Sequence, residues 1–141
     1  MSVNVLYRTS ARATGGGDGH AATLDGAVDV KLSTAKELGG AGGTGVNSEQ
    51  LFATGYAACF LGAMKFVTLE GGPKVPDDAT VTSTVGIGPR SEGGFGLEIG
   101  LEISLPSIGR SAAEALVAKA HQVCPYSNAT RNNVDVKLRV V

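Results

Sequence analysis

From Asn47 to Val67 the chain reads NSEQLFATGYAACFLGAMKFV, and this stretch constrains the fold more than any other. Asn47 is a good N-cap and Gln50 stands three residues on, so each side chain can satisfy a backbone N–H and a helix is predicted to start here. Phe52, Tyr56, Cys59, Phe60, Ala63, Phe66 and Val67 then recur at three- and four-residue spacing, the pattern of a helix with a buried face. A helix of about 20 residues is ~30 Å long. Between Leu51 and Leu69 its only charge is Lys65. A helix apolar nearly all round needs cover on both sides, and one small sheet supplies cover on one. A second copy of the chain is therefore expected against it.

The remainder of the chain is read around that helix. At 141 residues and 43% hydrophobic, residues 1–141 are expected to form a single domain with a real core. Twelve Lys and Arg against thirteen Asp and Glu give a net charge of −1, and no basic run is present to track a phosphate backbone, so nucleic acid is not an expected partner. MSVNVLYRTS has neither the basic start nor the apolar core of a signal peptide, and no segment approaches ~18 uninterrupted apolar residues. A soluble cytoplasmic protein is expected, without a membrane partner. In that reducing compartment two cysteines are catalytic, redox-active or simply buried more often than they are a permanent staple.

Val3 to Ala13 alternates as a half-buried strand with Val3, Val5, Tyr7, Thr9 and Ala11 on one side. A glycine loop through Asp18 follows, and His20 to Leu24 and Ala27 to Leu32 flank Asp25-Gly26, a two-residue hairpin signal. Ser33 to Leu38 is expected to make a short helical turn, and Gly39 to Gly45 a linker. Beyond the long helix, Thr80 to Gly88 and Phe95 to Leu105 read as strands joined at Ser91 to Gly94, the second with Leu97, Ile99, Leu101, Ile103 and Leu105 on one face. Ser111 and Glu114 form a capping box for a helix that runs through Leu116, Val117, Ala120 and Val123 to Cys124, where Pro125 ends it. A last strand is expected from Val134 to Val140. The order, with its hairpins and few connections suited to parallel crossovers, implies an α+β fold with antiparallel sheets packed around a long central Cys-bearing helix.

A lone Cys on an apolar stripe is usually an inert core residue, but Cys59 is flanked by Ala57, Ala58, Gly62 and Ala63, which leave room beside its sulfur, and Cys124 is the only other thiol. The two read as a peroxidatic and resolving pair, as partial metal ligands, or as two core residues. Metal is set aside, because His20 and His121 stand outside any CxxC or HxxxH spacing, and no other cofactor is implied. His20 and His121 read as surface or satisfied core residues, Arg131 as a solvated loop residue, and Asp18 as a turn carboxylate.

NSEQLFATGYAACFLGAMKF, HQVCPYSNATRNNVDVKL and DVKLSTAKELGGAGG resemble the organic hydroperoxide resistance proteins, a branch of the OsmC-like family, and the likeness runs over nearly the whole chain. The resemblance implies an intertwined homodimer with active sites at the subunit interface. It implies a thiol-dependent peroxidase acting on alkyl and fatty-acid hydroperoxides, with Cys59 as peroxidatic thiolate and Cys124 as resolving thiol. A dihydrolipoyl group on a partner protein, or dihydrolipoamide, would be the reductant. Phe52, Tyr56, Phe60 and Phe66 would then form a greasy approach for an alkyl tail. The family carries an Arg in a GGRDG loop, held by the Glu that matches Glu49, to stabilise the thiolate. Here Gly17 stands in the Arg position, with Arg12 and Arg131 as candidate replacements. An alternative role follows, that of a catalytically impaired dimer that binds a lipophilic ligand or senses peroxide through Cys59.

Overall fold

The computed structural model describes residues 1–15 and 19–141, so the expectations placed on Gly17 and Asp18 lie outside the described residues. The chain divides into two compact units, Met1–Ser48 and Glu49–Val141.

The first unit holds a three-stranded antiparallel sheet in the order β1 (Ala11–Thr14), β2 (His20–Thr23), β3 (Asp29–Lys31). The strand expected from Val3 is much shorter: residues 1–10 belong to no regular element, and residues 1–14 are all exposed. Alternation reports a face that wants burial, but a strand also needs a neighbour, and of the stretch from Val3 to Thr14 it is Ala11 to Thr14 that pairs with β2. The hairpin after β2 is also wider than the two-residue turn read from Asp25-Gly26. Thr23 N–H donates to Val28 O at 2.8 Å, and the loop between them is shaped by Asp25 Oδ1 accepting from Ala27 N–H at 3.0 Å and by Gly26 at φ 78°. An Asp side chain that bonds its own backbone two residues on favours this larger turn. The helical turn expected by Leu38 is a 3-10 turn over Lys36–Leu38.

The second unit opens with α1 (Ser48–Thr68), which starts directly after Asn47 as the N-cap spacing predicts. Then come β4 (Thr80–Pro89), β5 (Phe95–Ser104), α2 (Arg110–Val123), α3 (Pro125–Thr130) and β6 (Val136–Val140). β4 and β5 pair antiparallel along their whole lengths, from Thr80 opposite Ser104 to Pro89 opposite Phe95. Their turn relies on Gly93 and Gly94, at φ 96° and 70°, where a side chain would be strained. β6 joins the other edge of β5, and it runs parallel, from Ile99 opposite Val136 to Ile103 opposite Val140. The sheet is therefore mixed and not the antiparallel one expected. A parallel neighbour needs a long crossover, and α2 with α3 provides it.

β5 is the middle strand, and its inward residues Ile99, Leu101 and Ile103 are fully buried. They meet Tyr56, Phe60, Ala63 and Met64 of α1 and Ala113, Leu116, Val117 and Ala120 of α2. α2 begins one residue before the Ser111 capping box. Gly109 is its N-cap with no side-chain cap bond, and Glu114 instead pairs with Arg110 at 3.2 Å, one turn away. Leu116, Val117 and Ala120 are buried, and Val123 is exposed.

Only 22% of the most apolar 18-residue stretch of α1 is buried within the chain, although by length and composition the helix could cross a bilayer. Leu101→Ala should cost about 3 kcal/mol in urea unfolding, since a fully buried central-strand side chain leaves a cavity. The exposed Lys119→Ala should shift stability by less than about 0.5 kcal/mol.

Candidate active site

α2 stops because Pro125 has no N–H to continue it and forces the residue before it into extended backbone. Cys124 accordingly sits at φ −63°, ψ 121°, where it is at once the C-cap of α2 and the N-cap of α3, with Pro125 at the first helical position. Reading Pro125 only as a stop misses α3, and the signal that finds it is the same proline read as a start. Cys124 is completely buried. Its N–H donates to Ala120 O at 2.8 Å, and its carbonyl accepts from Asn128 N–H at 2.9 Å.

The joint carries Cys124 to α1. Both cysteines are free, and Cys59 Sγ lies 3.5 Å from Cys124 Sγ across 65 positions of sequence. Cys59 is half-buried. Burial first, with Cys124 beside it, pushes its thiol pKa up to about 11 against the opposing backbone N–H of Tyr126.

One turn away lies a buried polar chain that residue spacing did not suggest. Tyr56 Oη is 2.8 Å from Ser127 Oγ and 3.4 Å from Thr130 Oγ1, and Ser127 Oγ is 2.9 Å from His121 Nδ1. Tyr56 and Ser127 have no exposed surface. His121 is held below its ordinary pKa, first by burial and then by the charge of Arg131, both of which favour its uncharged form. Arg131 is not a solvated loop residue, because its guanidinium donates to Asn128 Oδ1 and to the carbonyl of His121. His20 pairs with Asp29 on the surface of the first sheet, and Arg12 lies in β1. Among the described residues no group of three or more His, Cys, Asp or Glu side chains could hold a metal ion.

The four aromatic residues expected around Cys59 are divided by the structure. Phe52 and Tyr56 stack edge to face at 6.1 Å, and Tyr126, absent from the expected set, joins them at 6.3 and 5.7 Å. Gly55 makes room for that ring: a Cβ there would stand 3.2 Å from Tyr126 Oη. Phe60 is a core residue with no exposed surface, and Phe66 is 57% exposed, seven residues or ~10 Å beyond Cys59 along the helix. Glu49 stands in the first turn of α1, ten residues before Cys59, and the helix is unbroken through Gly55. The rise between them is ~15 Å, so one chain does not bring Glu49 to its own Cys59.

A family model described as OsmC-like protein matches residues 40–139. The chain belongs to the OsmC-like family. Its relatives include the organic hydroperoxide resistance protein of Xanthomonas axonopodis pv. citri, 56% identical over 95% of this chain and 94% of that protein. Among solved structures, an organic hydroperoxide resistance protein of Legionella pneumophila superposes with a TM-score of 0.89 at 47% identity, over 97% of this chain and 98% of that one. OhrB of Bacillus subtilis does so with a TM-score of 0.86 at 39% identity, over 97% and 100%. The fold is thus the OsmC-like α+β fold.

In this OsmC-like chain a cavity of about 410 Å³ is lined by Phe52, Leu97, Ile99, Tyr126, Ala129 and Val134, with Thr130 and Asn133 as its polar members. Tyr126 joins it to the thiols, since its ring lines the cavity while its N–H faces Cys59. With the Cys59 pKa at about 11, alkylation by iodoacetamide should rise about tenfold per pH unit from 7 to 9, because only the thiolate reacts. A plateau reached near pH 6 would show instead that a cation reaches the sulfur.

Proposed function

We propose that this protein reduces organic hydroperoxides through Cys59, with Cys124 as the resolving thiol. The observation that carries the reading is the approach of two free thiols to 3.5 Å, with Tyr126, whose N–H faces Cys59, also lining an apolar cavity. The Cys59 thiolate attacks the distal peroxide oxygen, the O–O bond breaks, and the alkoxide takes a proton to leave as an alcohol. The sulfenic acid then condenses with the Cys124 thiol, forming the S–S bond and releasing water. A dithiol returns both sulfurs to the reduced state, and a dihydrolipoyl group on a partner protein or free dihydrolipoamide is the reductant we assign. Closing from 3.5 Å to a bond of about 2.05 Å needs only small side-chain movement.

The lining supports an alkyl or fatty-acid tail, with Phe52 and Tyr126 as the aromatic walls. We assign the working form to a cytoplasmic homodimer. The thinly covered α1 and the exposed Val3, Val5, Leu6 and Tyr7 support a second copy, and Glu49 serves the site from that copy. Reduced protein with dihydrolipoamide should turn over cumene or tert-butyl hydroperoxide, and Cys59→Ser should abolish this; turnover that survives Cys59→Ser defeats the assignment. Light scattering at micromolar concentration should return twice the chain mass, and a clean monomer removes the dimer.

The high pKa of Cys59, with Gly17 where the family has Arg, favours a second reading in which the dimer binds a lipophilic ligand or senses peroxide with little turnover. Gly17→Arg should then raise the rate with organic hydroperoxides by roughly tenfold or more, through a lower thiol pKa. An unchanged rate means that another cation already serves.

A further inference from the structure

Three hydrogen-bonded residues surround the thiol pair at one fixed offset. Tyr56 precedes Cys59 by three residues on α1, His121 precedes Cys124 by three on α2, and Ser127 follows Cys124 by three on α3. The Ser127 hydroxyl is bonded to both of the others, at 2.8 Å to Tyr56 Oη and 2.9 Å to His121 Nδ1. The three helices that meet at the sulfurs are thus fastened to one another one turn from them.

α3 needs such fastening. A six-residue helix has no stability of its own, and Cys124 hangs at its start on extended backbone. Cys59, by contrast, is set by a long helix whose Tyr56, Phe60, Ala63 and Met64 are in the core. The placement of Cys124 Sγ relative to Cys59 Sγ therefore depends on where α3 is tied, and Ser127 is the shorter of its two ties to Tyr56, beside Thr130 Oγ1 at 3.4 Å. The chain can run in either sense: Tyr56 O–H donates to Ser127 and Ser127 O–H to Nδ1 of His121, or, in the other imidazole tautomer, Nδ1–H donates to Ser127 and Ser127 O–H to Tyr56.

We infer that Tyr56, Ser127 and His121 are positioning residues that hold Cys124 within closing distance of Cys59, so that the sulfenic acid is captured before a second peroxide reaches it. The inference rests on the thiol-peroxidase reading above. Two fates compete for Cys59 sulfenic acid. Attack by Cys124 gives the disulfide and water, and attack on a second hydroperoxide gives sulfinic acid and another alcohol. Closure within one molecule depends steeply on geometry, and a misplacement of about 1 Å can cost up to ~100-fold. The second oxidation does not depend on Cys124 at all. The ratio of the two products therefore reports the position of Cys124.

The test treats the reduced full-length protein with rising cumene hydroperoxide and reads disulfide against sulfinic acid by intact mass. The parent should give mainly disulfide; a parent that gives none overturns the peroxidase reading and this inference with it. At equal peroxide, Tyr56→Phe and Ser127→Ala should raise the sulfinic-to-disulfide ratio by roughly tenfold. His121→Leu should do the same, and His121→Asn, whose side-chain amide can occupy the place of Nδ1, should restore the parent ratio. A core variant, Leu101→Ala, destabilises the fold without removing any hydrogen-bonding group of the three residues and should leave the ratio where it is. A parent-like ratio in His121→Leu, or in folded Tyr56→Phe and Ser127→Ala, overturns the inference while the peroxidase reading stands. A ratio that follows stability across all variants, Leu101→Ala included, overturns it too, because loosening alone would then explain the effect.

Discussion

The inner face of α1 is the constraint on which the second unit depends. Tyr56, Phe60 and Met64 have no exposed surface and lie against β5, the middle strand of its sheet. Burial of such side chains is worth about 1.5–3 kcal/mol each, and it sets the rotation of the helix. That rotation leaves Cys59 at the margin of the buried face and Phe52 and Gly55 facing Tyr126. The outer face follows from the same sequence and is left largely uncovered, which is why the helix reads as apolar all round.

The second element of the site is a fault in a helix. α2 and α3 would be one helix were it not for Pro125, and the break leaves Cys124 with extended backbone at the turning point. A cysteine inside an unbroken helix would have its side chain committed to the helix face. At a joint it can be carried to a third helix, as it is here to α1. The crossover that contains this joint also returns the chain to the edge of β5 in parallel sense.

The same packing that brings the thiols together works against their chemistry. Removing Cys59 from water favours its neutral form, and a second thiol within 3.5 Å gives it a neighbour with no positive charge. Among the described residues, the group that lowers its pKa is the backbone N–H of Tyr126. Tyr126 thus serves the fold and the site together, its amide at the sulfur and its ring between the cavity and Gly55.

Much of this was legible in the residues themselves. The start of α1, the inward face of β5, the Gly93-Gly94 turn and the α+β class follow from caps, periodicity and backbone preference, which act within a few residues of one another. The length of β1, the parallel sense of β6 and the existence of α3 were not legible, because a pattern records which side of a segment is buried and not which segment will bury it. Among the site residues, a hydrophobic stripe cannot tell Phe60, lost in the core, from Phe52, at the cavity wall, and His121 shows no partner until the break at Pro125 turns Ser127 towards it. Local order belongs to the sequence alone, since its causes are local. The meeting of Cys59 with Cys124 and of Tyr56 with Ser127 was decided by tertiary structure, because each joins atoms more than 60 positions apart that only the packing of three helices brings within hydrogen-bond reach.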